Sequence, residues 1–192
     1  MTTSPLVSAG TGSVPRRIVV KGTSGAGKST FAADLARRRG LPYIELDALY
    51  WGPAWSQPTP EAFRERVRAA LAAAPEGWVV DGNYDSRLGE TVVGAADSIV
   101  WLDLPLGVKL RRLWRRTARR IRHGVVLWNG NRETWHGAFV GRESLFVWTI
   151  RAHFRYRRRW PAQLGADPRL VWLRSGEAAR RWLDDQAGGE HL

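Results

Sequence analysis

The chain has 192 residues, 44% of them hydrophobic and 25% charged. That is the size of one domain with a sizeable core, and it excludes a disordered, collagen-like or low-complexity protein. The absence of cysteine rules out disulfide scaffolds, thiolate metal sites and cysteine nucleophiles. The net charge of +12 is uneven: residues 106–160 hold 15 basic residues against two acidic ones, Glu133 and Glu143, which marks a local anion-binding surface rather than a uniformly basic protein.

In chain order, residues 1–15 (MTTSPLVSAGTGSVP) read as a flexible tail without the basic start and apolar stretch of a signal peptide. No apolar run approaches the roughly 20 residues that span a bilayer. A cytoplasmic protein with no membrane partner is therefore expected. Residues 16–22 (RRIVVKG) are a β-branched run ending in glycine, followed by a helix over 28–39 closed by Gly40. Residues 43–47 (YIELD) predict a second short strand. Thr59, Pro60 and Glu61 supply a cap, a first-turn proline and a first-turn acid, and Phe63, Val67, Ala70, Leu71 and Ala74 follow at helical spacing. Residues 78–81 (WVVD), 98–103 (SIVWLD) and 169–173 (RLVWL) predict three more strands, and 177–185 a last helix.

Alternating strands and helices predict a three-layer α/β fold around a central, mostly parallel five-stranded sheet, with residues 188–192 as a C-terminal tail. In such sheets ligands bind beyond the carboxyl ends of the strands, where Gly22, Asp47, Asp81 and Asp103 fall. An aspartate there also serves as a simple helix cap.

The segment Gly22-Thr23-Ser24-Gly25-Ala26-Gly27-Lys28-Ser29 matches the phosphate-binding pattern G-x-x-x-x-G-K-[ST] between a strand and a helix. Chance would place about 0.003 such matches in a chain of this composition. The glycines open backbone angles closed to other residues and keep side chains away from a phosphate. The N–H groups from Gly22 to Ser29 then converge on the β-phosphate, helped by the positive end of the helix. Lys28 supplies a compact charge to the β and γ oxygens, Ser29 offers its hydroxyl to Mg²⁺, and Thr30 backs it at the helix start. The expected ligand is a nucleoside triphosphate, ATP, with magnesium.

Five ordered segments carry a resemblance: the phosphate loop, Glu45-Leu46-Asp47 with Leu49-Tyr50-Trp51, Val80-Asp81-Gly82-Asn83-Tyr84, Trp101-Leu102-Asp103-Leu104-Pro105, and the arginine helix that follows. Across about residues 16–160 the chain resembles the nucleoside-monophosphate-kinase branch of P-loop proteins. It is most similar to the adenylate-kinase-like family often labelled DNA topology modulation protein. The resemblance implies that Asp81 holds magnesium through water and that Arg112 and Arg116, seven and eleven residues after Pro105, serve the adenine and the transferring phosphoryl group. It thus implies catalytic roles for Lys28, Asp81, Arg112 and Arg116, with Arg112 also binding nucleotide.

Helical spacing independently places Leu110, Leu113, Trp114, Thr117 and Ile121 on a buried face and leaves Arg112, Arg115, Arg116 and Arg119 on the other sides. Residues 106–160 are the expected basic helical lid, with Arg119, Arg120, Arg122, Arg132 and Arg142 as further candidates, and residues 48–75 the acceptor-side insert. Closing a basic segment over the site excludes water and covers charge on the γ-phosphate. On the acceptor side, Asp47 is placed to accept a hydrogen bond from a substrate hydroxyl, and Tyr50, Trp51, Trp55 and Tyr84 to form an aromatic wall. The nucleotide-monophosphate signature of true adenylate kinases is not found between the second and third strands.

Two functions compete. One is an ATP-dependent kinase acting on a nucleotide or other small-molecule acceptor. The other is a nucleotide-regulated ATPase that binds nucleic acid through residues 106–160, where Trp114, Trp128, Trp135, Trp148, Phe154, Tyr156 and Trp160 interleave with arginines. The arginine spacing and the short chain favour the kinase.

Overall fold

A computed structural model describes residues 14–140 and 144–187. Among these, strands β1 (Arg17–Lys21), β2 (Tyr43–Glu45), β3 (Trp78–Asp81), β4 (Ser98–Leu102) and β5 (Leu170–Leu173) form one sheet in the order β2-β3-β1-β4-β5. Every pairing is parallel, so the sheet is wholly rather than mostly parallel. Strands covered on both faces need apolar residues at every position, and every residue of β3 and β4 is buried.

Alternation divides the core. Ile18 and Val20 of β1 pack with Leu35 of helix α1 (Lys28–Arg38) and Leu183 of helix α8 (Gly176–Ala187). Val19 faces the opposite layer with Leu46, Phe63 and Val67. Phe63 and Val67 belong to helix α3 (Pro60–Ala72), whose Thr59 hydroxyl accepts a hydrogen bond from Ala62 N at 3.2 Å. Burying these two side chains stabilises the fold by roughly 1.5–3 kcal/mol each, and such a cap adds about 1 kcal/mol.

The second strand is shorter than expected. It ends at Glu45, and Leu46–Tyr50 coil into helix α2, which places Asp47 in a first helical turn instead of at a strand end. Leu46 and Tyr50 are both buried, with Leu49 packed against the same core, so the i, i+3, i+4 spacing of these three is satisfied by one helical face.

Residues 106–160 begin with helix α5 (Leu106–Arg122) and continue through an antiparallel bridge between Val126 and Arg132 that encloses a 3₁₀ turn at Trp128–Gly130. Helices α6 (Trp135–Phe139) and α7 (Leu145–Leu164) follow, while Arg142 lies outside the described residues. The buried line of α5 is Lys109, Leu113 and Thr117. Trp114, expected inside, is 50% exposed because it stands one position beyond that line, where it meets Trp135 and Phe139 instead. A second short turn, Pro53–Trp55, precedes α3, and a one-turn helix α4 (Asp85–Leu88) follows β3. Among the described residues no helix is long and apolar enough to cross a membrane.

Candidate functional site

The phosphate loop joins β1 to α1. Gly25 (φ 78°) takes a left-handed conformation where a β-carbon would run into the Lys109 carbonyl of α5. Gly27 (φ 90°) is the N-cap of α1, and no side chain caps that end of the helix. The first-turn N–H groups are therefore free for an anionic ligand. A cavity of about 840 Å³ opens above them, lined by residues 25–30, by Glu45 and by Arg112, Arg116, Arg119 and Arg120 of α5. Phe31, Leu102, Leu104, Ala179 and Leu183 supply an apolar flank.

The expected arginines meet this cavity differently. Arg112 Nη1 donates to the Ala26 carbonyl at 3.4 Å, and its guanidinium sits between Gly27 and Gly176, the first residue of α8. Arg116 Nε is buried with no hydrogen-bond partner among the described residues. Burial, reinforced by the nearby charge of Arg120, holds the Arg116 guanidinium below the usual arginine range. Arg120 pairs with Glu133 at 2.6 Å, and Arg119 lines the cavity without a pairing of that kind among the described residues. Arg122 and Arg132 are exposed and stand outside the lining.

Asp81, at the end of β3, is buried. Its Oδ2 accepts from Ser29 Oγ at 2.5 Å and from the Tyr43 hydroxyl at 3.4 Å, and Lys28 Nζ lies 3.9 Å from Oδ1. Burial and the Asp81 charge push the Tyr43 phenol up, so it remains a donor. Asp81 Oδ1 is buried without a hydrogen-bond partner among the described residues. An orphaned carboxylate oxygen beside a serine hydroxyl fits a hard divalent cation such as Mg²⁺, which takes few protein oxygens and keeps several waters.

A second cavity, of about 230 Å³, lies beside the loop. It brings together four of the five acceptor-side residues expected from sequence, Asp47, Tyr50, Trp51 and Tyr84, and adds Ser24, Lys28 and Trp148. The Tyr84 hydroxyl donates to Asp47 Oδ1 at 2.6 Å. Burial, with the Asp47 charge beside it, pushes that phenol up and keeps its proton in place. The Tyr50 ring packs 4.7 Å from Tyr84 and 4.9 Å from Trp51. Trp55 stands behind Trp51 and is not part of this lining. Lys28 lines both cavities.

Several residues escaped the sequence reading. Asn83 clamps the loop to β3 through paired bonds with Gly22, donating to its carbonyl at 2.6 Å and accepting from its N–H at 3.2 Å. Its position beside Asp81-Gly82 was the available signal. Glu45 accepts from the Trp128 indole at 2.8 Å, and Asn131 bonds Gly52 and Trp55, which fastens the 128–131 turn across the acceptor side. Nothing local to Trp128, Asn131 or Trp148 announces these meetings across the chain. Trp128 is thus engaged by Glu45 and Trp55, and Trp160 is buried against Tyr156 and Trp101.

No protein-family model matches the chain. A cytidylate kinase of Pyrococcus horikoshii is 30% identical over 111 residues, which cover 52% of this chain and 56% of that protein. The chain thus spans about half the length of the curated relatives it matches. A shikimate kinase of Acinetobacter baumannii, solved with shikimate, matches with a TM-score of 0.53 at 18% identity over 88% of this chain and 89% of its own. A deoxyadenosine kinase of M. mycoides, solved with dCTP, matches with a TM-score of 0.50 at 13% identity over 88% of this chain and 97% of its own. The fold is the three-layer α/β fold of P-loop kinases.

Proposed function

We propose that this chain is an ATP-dependent phosphotransferase that binds Mg·ATP in the larger cavity and passes its γ-phosphoryl group to a nucleotide or other small molecule in the smaller one. The observation that carries the reading is the position of Lys28, whose side chain lines both cavities. A phosphoryl group held there is within reach of an acceptor on one side and a leaving ADP on the other. The similarity to a cytidylate kinase supports the same class of reaction.

Phosphoryl transfer asks the protein for in-line positioning and for cover of the charge on the γ-oxygens. The uncapped N-terminus of α1 receives the β-phosphate. Lys28 and Arg116 cover the transferring group, and Arg112, pinned between the loop and α8, contacts the nucleotide. Ser29 directly and Asp81 through water would hold Mg²⁺, which supplies Lewis-acid cover for the phosphate oxygens when bound. The working unit in this reading is residues 16–187, a cytoplasmic enzyme with an acceptor-side insert at about 48–75 and a basic lid at about 106–160.

The rival reading uses the same basic region to bind nucleic acid. Of the interleaved aromatics, Trp128 and Trp160 are engaged inside the protein while Trp114, Trp135, Trp148 and Phe154 are exposed, so the kinase reading rests on the two cavities that meet at Lys28. One pair of measurements separates the two. The kinase reading expects ADP release that rises with an acceptor and is lost in Lys28→Ala. Acceptor-independent turnover, together with DNA binding that weakens steeply with salt and survives Lys28→Ala, would overturn it.

A further inference from the structure

The acceptor cavity has a chemical character of its own. Among the described residues it is lined by one carboxylate, Asp47, and one cation, Lys28, and by no arginine. Lys28 also faces the donor cavity, where it meets the transferring group, and Arg116, near enough to feel the Asp47 charge, lines the donor cavity and not this one. A phosphate monoester carries a charge of about −1.5 to −2 at neutral pH and is normally held by arginine forks or helix N-termini. Here it would face Asp47 instead. The neighbouring Arg87 is kept out of the lining: its guanidinium lies 5.0 Å from the Tyr50 ring centroid and bonds Gln57 at 3.3 Å. The nearby helix α4 is a single turn whose first residue is itself acidic.

What the cavity does offer suits an alcohol. A carboxylate provides hydrogen-bond acceptors and no donor, so it matches a hydroxyl. Tyr84 holds Asp47 Oδ1 from one side at 2.6 Å, which orients the carboxylate and leaves Oδ2 for a ligand. Tyr50, Trp51, Tyr84 and Trp148 present ring surfaces that pack on the C–H faces of a small ring. The volume of about 230 Å³ is small for a ligand site, where roughly 300–1,000 Å³ is usual. A monosaccharide or cyclic polyol fits such a space.

We infer that the acceptor is an uncharged, hydroxyl-bearing ring of monosaccharide size, bound with one hydroxyl on Asp47, and not a nucleoside monophosphate. This rests on the kinase reading and narrows its acceptor to one chemical class. In the step, the acceptor hydroxyl oxygen forms a bond to the γ-phosphorus. The bond from that phosphorus to the β,γ-bridging oxygen breaks, and its electron pair leaves with ADP. The hydroxyl proton passes to the Asp47 carboxylate and from there to water. The products are ADP and a phosphate monoester of the alcohol.

The test uses the full chain with Mg·ATP and a panel at millimolar concentration: neutral hexoses, pentoses and cyclic polyols on one side, AMP, CMP, GMP and UMP on the other. ADP release is followed by a coupled assay and the new monoester by mass spectrometry. At least one neutral alcohol is expected to raise ADP release and appear as its monoester. Asp47→Asn is expected to lower that rate about 100-fold, with calorimetric Mg·ATP binding as the check that the variant is folded. Conversion of a nucleoside monophosphate to its diphosphate in preference to every neutral alcohol would overturn the inference and leave the kinase reading standing. So would a panel in which no neutral alcohol yields a monoester while Mg·ATP still binds. Failure of the wild-type chain to bind Mg·ATP would remove both.

Discussion

The donor cavity measures about 840 Å³ and takes four arginines from a single helix, α5, whereas the acceptor cavity measures about 230 Å³ and sets four aromatic rings around one carboxylate among the described residues. Both meet at Lys28, yet they are built differently. The charged part of the donor wall comes from two continuous segments: the phosphate loop contributes main-chain N–H groups, and α5 contributes side chains at i, i+4, i+7 and i+8 from Arg112, while β2, β4 and α8 complete the lining. The acceptor wall is assembled from α2, the turn after β3, and α7, which lie far apart in the chain. A site that must grip a polyanion can rely on repeated charge and backbone dipoles. A site that must choose a small molecule needs shape, and shape comes from long-range packing.

This contrast can be broken at its hinge. Removing the shared cation in Lys28→Ala is expected to lower kcat/KM by about 10³-fold, the largest single effect, as measured by initial rates at varied ATP. If both cavities work as described, KM for the acceptor changes little beside the loss in kcat.

Within the donor cavity, Arg116 and Arg112 are expected to separate. Arg116→Ala removes cover for the transferring phosphoryl group and should lower kcat about 100-fold with little change in the KM for ATP. Arg112→Ala removes a nucleotide contact and should raise that KM about tenfold while kcat is largely kept. Equal effects of the two substitutions on both parameters would erase the distinction. Asp81→Asn neutralises the carboxylate whose Oδ1 is buried without a partner. The Mg²⁺ concentration for half-maximal rate should rise about tenfold in a magnesium titration.

The smallest effect near neutral pH concerns a second lysine that contrasts with Lys28. Lys109 of α5 is 2% exposed, and its Nζ lies 2.7 Å from His153 Nδ1. Burial, opposed by Asp103 and aided by Arg157, brings its pKa down from 10.5 to about 8. Burial and the adjacent Lys109 charge also bring His153 down, so the imidazole is neutral and Nδ1 accepts. Because the folded-state pKa of Lys109 lies below its unfolded value, its buried charge opposes folding below about pH 8. That opposition is relieved as pH rises towards 10.5. Urea midpoints should therefore increase across that window, and the part due to Lys109 should vanish in Lys109→Met. A flat profile in the wild-type chain would show that the lysine is not desolvated as described.

The phosphate loop was legible because its work is done by main-chain geometry encoded in eight consecutive residues. The strands were legible because burial on two faces demands continuous apolar runs such as WVVD and SIVWL. Thr59 announced α3 for an equally local reason. The reading of Asp47 at a strand end failed because in this five-residue segment Leu46, Ala48 and Tyr50 alternate as in a strand while Leu46, Leu49 and Tyr50 repeat as in a helix, and packing decides between them. Trp114 failed likewise, since the exact angle at which α5 meets α7 decides which side of its apolar stripe is covered.

By itself, then, the order of residues determined the alternating strands and helices, the anion-gripping loop and the concentration of arginines after β4, since each is set within a few residues, whereas the pairing of those strands joins segments tens of residues apart. Tertiary structure alone decided that Trp148 lines the acceptor cavity, that Asn131 and Trp128 fasten their turn to Gly52, Trp55 and Glu45, and that Lys109 rather than Trp114 is buried. Those outcomes depend on side chains separated by tens of residues competing for the same volume, and that competition is resolved only when the whole core is packed.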